Sequence, residues 1–488
     1  MKSYQVLFLI SYSLINFLTL CYGSADVYTD GMYIKDESDR IRIYHGTNFV
    51  NKGFPWYPPE LLDPTFVANL SSWGLNFVRL GMMWEGVEPN PQQYNYTYLN
   101  IMKDIVKLLE SNEIFVLFDM HQDVLSSRTG SYDGIPSWLY DKFPAPAHPY
   151  PWPFKKVGSD WFLGYLTEAC SHGFQSLYDN AGGAVESMSN FWRLVATNFN
   201  SYSNLLGYEL INEPWAGNYL TNPFLLLPGV AGSTNLQPLY DKISKSIRSV
   251  DNKTLIFYEP VTWGVRLNGK YMGSGFTHVP GGNDYRNRSV FSYHYYCTIL
   301  QIKPVPGNET IPGFDRVLCD DIEGPALFDS TLIDVKQLGG SSFLTEFGGC
   351  DDSPTCDEQL NWAMKNTDQY FQSWAYWGNV YNNMKNIKLI TRPYARAIAG
   401  QPNMMNFDVN SRLFSLTYYL DTSIKKATEI YVPSLVYPKS TYNITVNQYI
   451  QWKVDPINTN IILIEPTQYY ISKKEKNLLG IIQIAPTA

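Results

Sequence analysis

The sequence predicts an α/β fold, a (β/α)8 TIM barrel over residues 24–404, followed by a small C-terminal all-β sandwich over 405–488. Three observations predict it. Between residue 41 and about residue 400, short β-branched and aromatic runs alternate with helix-like stretches, as in a parallel sheet with crossover helices. There are eight such runs, the number that closes a barrel. Beyond residue 405 the helical period stops, and short strands separated by turn residues take over.

Residues 1–23 read as a signal peptide, with Lys2 at a positive start, an apolar middle and a small-residue exit at Gly23-Ser24. The expected mature chain is secreted, or delivered to the lumen of an endolysosomal or digestive compartment. Its formal charge of −8 becomes about −9 once Lys2 is removed. With no basic cluster, that balance argues against a nucleic-acid partner. No second apolar run reaches bilayer length. Cysteine usage agrees with export. Cys297 and Cys319 flank a Pro/Gly-rich excursion and Cys350 and Cys356 flank a short polar loop, so two disulfides are expected, leaving Cys170 as a buried thiol. No cysteine or histidine has the paired spacing of a zinc site, and neither metal nor cofactor is expected. Asn69, Asn95, Asn252, Asn287, Asn308 and Asn443 stand in glycosylation sequons.

The eight barrel strands are read as 41–47, 76–81, 114–120, 205–212, 254–259, 290–295, 342–347 and 371–377. Helical spacing of apolar residues falls over 98–112, 184–198, 239–250 and 356–367. The sandwich strands are read at 414–420, 428–432, 442–446, 461–464 and 479–484. This second domain binds carbohydrate or stabilises the barrel; the structural role is the preferred reading.

Residues at the C-terminal ends of barrel strands converge on one mouth. Strand one is followed by Asn48 and Lys52, strand two delivers Arg79, and strand three delivers His121-Gln122-Asp123. Strand four delivers Asn212 and Glu213, strand six His294 and Tyr296, strand seven Glu346 and strand eight Trp377. Either glutamate alone could start a helix or solvate a turn. Two carboxyls on two strand ends, with polar and aromatic neighbours, suit glycoside hydrolysis, whose cationic transition state needs one carboxylate below the anomeric carbon and one acid on the leaving oxygen. Glu346 is read as the nucleophile, held ionised by Tyr296 and Arg79. Glu213 is read as the acid/base, its pKa raised by the negative Glu346. Asn212 is placed for the sugar 2-hydroxyl and Trp377 for the subsite floor. Glu259, at the end of strand five, is the rival carboxylate that spacing leaves open.

Asn212-Glu213-Pro214, Glu346-Phe347-Gly348 and His294-x-Tyr296, set in this barrel rhythm, resemble glycoside hydrolase family 5, a group of retaining (β/α)8 enzymes. Within it the chain is most similar to the endoglycoceramidases, through His121-Gln122-Asp123, the run from Asn212 to Gly217, Glu346-Phe347-Gly348-Gly349, Ala375-Tyr376-Trp377-Gly378 and the appended β-domain. The resemblance implies a glycosphingolipid substrate of ganglioside or lactosylceramide type, cut between oligosaccharide and ceramide. It also implies that His121 and Asp123 hold the sugar next to ceramide, with Lys52 and Trp377 nearby. An apolar run at 222–230 follows the proposed acid, and aromatic runs occupy 150–154 and 161–163. These loops form either a ceramide slot touching a membrane or micelle surface, or a lid packed on itself. Three alternatives remain at this stage: a family 5 enzyme on soluble β-glucan or mannan, a glucosylceramidase, and an inactive barrel that binds glycans or glycolipids.

Overall fold

The computed structural model describes residues 26–130, 133–158, 161–262, 273–297, 318–348, 354–438, 441–472 and 478–487. Residues 1–23, read from the sequence as a signal peptide, the Asn308 sequon and Cys350 lie outside the described residues.

Among the described residues nineteen strands follow one another along the chain. β1 (Tyr28–Asp30), β2 (Tyr33–Lys35) and β3 (Ile41–Arg42) precede eight barrel strands. Those are β4 (His45–Phe49), β5 (Phe77–Gly81), β6 (Phe115–Asp119), β7 (Leu205–Glu209), β8 (Leu255–Tyr258), β9 (Ser289–Tyr295), β10 (Ser341–Gly348) and β11 (Ser373–Trp377). Each pairs in parallel with its neighbours, and β11 pairs with β4 to close the ring. The remaining strands are β12 (Tyr394–Ile398), β13 (Gly400–Asp408), β14 (Leu413–Leu420), β15 (Thr428–Tyr431), β16 (Tyr442–Val446), β17 (Ile450–Val454), β18 (Ile461–Pro466) and β19 (Leu479–Pro486). They form a seven-stranded sheet, in the order β1-β2-β3-β12-β15-β18-β17, and a four-stranded sheet, β13-β14-β19-β16. The run read from the sequence as barrel strand one therefore divides. Ile41 and Arg42 pair with β12 in the seven-stranded sheet, and the barrel strand begins at His45. Both halves are β-branched and aromatic, so local propensity does not separate them.

Helices Tyr96–Glu110, Ala184–Phe199, Gln237–Arg248 and Pro354–Tyr370 cover the four stretches read from apolar spacing. Their apolar faces pack on the outside of the barrel in one continuous core that includes Leu99, Met102, Trp192, Tyr240, Ile243 and Met364. The barrel interior has its own layer, built from Tyr44, Phe77, Leu117, Leu206, Phe257, Val290 and Phe343. Gly207 makes room for it, because a Cβ there would stand 2.4 Å from the Phe257 ring. Toward the C-terminal ends of the strands this layer gives way to charged and amide side chains. A third core fills the second domain around Tyr418, Ile430, Ile462 and Ile482.

The Cys297–Cys319 disulfide is formed and Cys170 is a buried free thiol. Cys356 is also disulfide-bonded. Among the described residues no helix is long and apolar enough to cross a membrane.

Candidate active site

Arg79 is the centre of the barrel mouth. It lies within β5 rather than at its end, and its side chain is fully buried. Burying a guanidinium requires opposing charge. Its Nε donates to Glu209 at 2.5 Å, one terminal nitrogen lies 3.2 Å from Asp119, and the other donates to Glu346 at 3.0 Å. Asn48 and Asn212 also accept from it, at 3.0 and 2.8 Å. Asp119 and Glu209, which end β6 and β7, are thus part of the site although strand-end counting missed them. The signal was present: an acidic residue inside a run otherwise apolar enough to be buried needs a cation beside it.

Glu346 stands near the end of β10 and receives the Tyr296 hydroxyl at 2.5 Å besides Arg79. Burial raises its pKa, while His294 and Arg79 oppose that rise. Glu213 lies four residues past β7, with φ +42°, a backbone region that side chains other than glycine seldom occupy. Two polar contacts hold it there. Its N–H donates to Glu259 at 3.2 Å, and Gln122 donates to its carbonyl at 2.9 Å. Its carboxyl faces His294 Nδ1 at 2.9 Å, and one of its oxygens lies within 4.8 Å of an oxygen of Glu346. The Glu213 pKa is pushed up to about 7. The direction agrees with the sequence reading, but the main cause is burial, and Asp123 is the largest charge effect.

The remaining predicted residues converge on the same mouth. His121 donates or accepts at Nδ1 against Asp119 at 2.7 Å and stacks on Trp377, with ring centroids 5.4 Å apart. Burial holds its pKa well below the ordinary histidine value. Lys52 bonds Asp123, and its ammonium sits over Trp377 at 4.9 Å and Trp161 at 5.8 Å from the ring centres. Trp161, from the long loop after β6, is therefore a wall of the site. Asp133 is another residue that sequence reasoning missed, and it accepts from the Asp123 N–H at 3.3 Å. Asn212 Nδ2 donates to the Gln122 carbonyl at 3.0 Å. The rival Glu259 lies behind His294 with one oxygen 3.4 Å from Nε2. Beside the mouth is a cavity of about 240 Å³ whose lining includes Trp215, Leu225, Leu226, Leu227, Pro260 and Val261.

A parallel eight-stranded barrel whose mouth holds two facing carboxyls, one tied to an arginine and a tyrosine and the other near neutrality, is the site of a glycoside hydrolase. A family model described as cellulase (glycosyl hydrolase family 5) matches residues 41–383, and one described as the glycoside hydrolase family 5 C-terminal domain matches residues 392–474. The chain belongs to glycoside hydrolase family 5. It is 34% identical over 468 residues to an endoglycoceramidase of Hydra vulgaris, covering 88% of this chain and 84% of that one. An endoglycoceramidase of Cyanea nozakii is 34% identical over 461 residues, covering 86% of each chain. The fold matches that of endo-glycoceramidase II from Rhodococcus sp. in its ganglioside GM3 complex, with a TM-score of 0.73, 23% identity and coverage of 93% of this chain and 99% of that one.

Proposed function

We propose that this chain is a retaining endo-β-glycosidase that hydrolyses the linkage between oligosaccharide and ceramide in glycosphingolipids. One observation carries the mechanism: the Glu213 and Glu346 carboxyls approach within 4.8 Å, which suits direct attack by a carboxylate and leaves no room for the intervening water of an inverting enzyme. Glu346, with donors on both oxygens, attacks the anomeric carbon. The proton of Glu213 passes to the departing ceramide oxygen, and the sugar becomes an ester of Glu346. That ester carries no charge, so Glu213 is easier to ionise in the intermediate and takes the proton of the incoming water. Asn212 meets the 2-hydroxyl, His121, Asp123 and Lys52 hold the remaining hydroxyls, and Trp377 supports the sugar face. Tyr296, Arg79 and His294 hold the two carboxyls in place.

Two findings support ceramide as the leaving group. The relatives at 34% identity are endoglycoceramidases. The apolar cavity is lined by Trp215 and Pro260, which stand two residues and one residue from Glu213 and Glu259. Leu226 and Leu227 of its lining are 45% and 53% exposed, and Phe224, next to them along the chain, is 67% exposed, enough to touch a lipid surface. Export fits the Cys297–Cys319 disulfide.

The test is incubation with a ganglioside or lactosylceramide. Free oligosaccharide with retained anomeric configuration, together with intact ceramide, is expected. Activity confined to soluble β-glucans would overturn the substrate, and release of glucose alone would indicate a glucosylceramidase.

A further inference from the structure

Glu259 has no part in the mechanism above, yet it is buried beside the mouth and joined to Glu213 in two ways. One oxygen accepts the Glu213 backbone N–H at 3.2 Å. The other faces His294 Nε2 at 3.4 Å, and the opposite ring nitrogen, Nδ1, lies 2.9 Å from the Glu213 carboxyl. Among the described residues, neither that Glu259 oxygen nor His294 Nε2 has a hydrogen-bond partner, so each is a buried polar atom whose nearest complement is the other, 3.4 Å away. A neutral buried imidazole between two carboxyls satisfies both neighbours only when one carboxyl carries a proton, and burial disfavours the charged ring that would otherwise serve two carboxylates.

We propose that Glu259 is a positioning residue that shares one proton with Glu213 through the His294 ring. The proposal rests on Glu213 being the acid/base. Two arrangements of the same protons keep the ring neutral. In one, Glu259 is a carboxylic acid donating to Nε2 while Nδ1–H donates to the Glu213 carboxylate. In the other, the Glu259 proton has moved to Nε2, the Nδ1 proton has moved to Glu213, and Glu259 is the carboxylate. Protons and charge balance, because one negative charge changes ends. The second arrangement is the acid form needed to expel the leaving group. The first is the base form needed to accept the proton of water.

The surroundings bias this exchange without freezing it. Arg79 stands 3.7 Å from the Glu259 oxygen that faces the ring and favours its carboxylate, whereas Glu209, Glu213 and Asp119 oppose it. Burial raises the Glu259 pKa well above the ordinary value and lowers that of His294; Glu346, 3.9 Å from Nδ1, with Glu209 and Asp119, opposes the lowering at the ring, and Arg79 adds to it, so that on balance the acid stays protonated and the ring stays neutral when uncoupled. Tyr240 fixes the backbone by donating to the Glu259 carbonyl at 2.9 Å.

Glu259→Gln tests the idea because its orientation is determined. The new amide oxygen must take the place that accepts the Glu213 N–H, which aims the amide NH2 at Nε2 and locks His294 with its proton on Nδ1. Glu213 is then held as a carboxylate. The alkaline limb of kcat/KM should move down by about one pH unit. Aryl β-glycosides with poor leaving groups should lose roughly tenfold or more in rate while those with good leaving groups are spared. Because the two arrangements hold the same protons, pH alone does not interconvert them; loss of the Glu346 charge does, so imidazole 15N shifts of His294 in the unaltered enzyme should pass from the Nε2–H to the Nδ1–H tautomer when the glycosyl–enzyme is trapped with a 2-deoxy-2-fluoro glycoside. An unshifted limb in Glu259→Gln, or the same His294 tautomer in the free and trapped enzyme, would overturn the relay. If Glu213→Ala shows no dependence on leaving group, it is the acid/base assignment that fails. If Glu213→Ala behaves as loss of the acid while the Glu259→Gln limb stays in place, only the relay fails.

Discussion

The two glutamates differ in what surrounds them, and that difference predicts distinct losses. Glu346→Gln removes the charge proposed to attack while keeping the shape that Arg79 and Tyr296 fill, so turnover should vanish with the circular dichroism spectrum and melting temperature retained. Glu213→Ala should cost on the order of a hundredfold or more on substrates with poor leaving groups and little on activated ones, with added azide restoring rate by replacing the water that Glu213 activates. The pH profile follows from sign. A general acid works while protonated and Glu213 titrates at about 7, so kcat/KM should fall as pH rises through that value. In Glu213→Ala that limb should be absent. The convergence of both glutamates on one mouth was legible in the sequence because Glu213 follows an apolar strand and Glu346 stands near the end of one. Asp119 and Glu209 carried a signal, an acid at the end of a buried run, but the cation that explains it, Arg79, lies 40 and 130 residues away along the chain.

At the scale of single elements, strands and helices with a strong period were read from sequence to within a few residues. The failures came where two elements share one local pattern, as at Ile41–Phe49, or where a strand is polar enough to look like loop. β13, Gly400–Asp408, alternates buried and exposed positions and carries Asn403, Asn406 and Asp408. Its place is set by pairing with β14, a contact that periodicity does not reveal. The loop after Glu213 is the element with the clearest prediction. Phe224 and Leu227 are exposed, whereas Leu225 is buried against the core. Replacing both Phe224 and Leu227 with Asp should raise KM for glycolipid in micelles by up to about a thousandfold, since full burial of both against lipid is worth about 4 kcal/mol of apolar transfer, about 2 kcal/mol each. Hydrolysis of a soluble aryl glycoside should be unchanged, which separates lipid capture from chemistry.

At the scale of the molecule, charge ties the barrel to the second domain. Glu429 on β15 bonds Arg40, before β3, at 2.5 Å and Arg396 on β12 at 3.1 Å, and Arg396 reaches Glu113 at the foot of the barrel at 3.1 Å. These arginines hold the Glu429 pKa at about 2, against the opposing effect of burial and the ordinary value of 4.5. A depressed carboxylate stabilises the fold fully above its unfolded pKa, and that contribution fades as pH falls from about 4.5 to about 2. Glu429→Gln should therefore lower stability by about 3 kcal/mol at neutral pH, with the gap to the unaltered protein closing over that acid window in chemical denaturation. The same region shows what the sheet order means for a growing chain. β1 to β3 leave the ribosome early, but their partner β12 is made some 350 residues later, after the barrel strands. The seven-stranded sheet is completed only when β12 follows the last barrel strand, β11, so β3 waits longer for its second neighbour than any barrel strand does for its own. A protease added during synthesis should cut before His45 until residues near Tyr394 have emerged, and should find that segment protected afterwards.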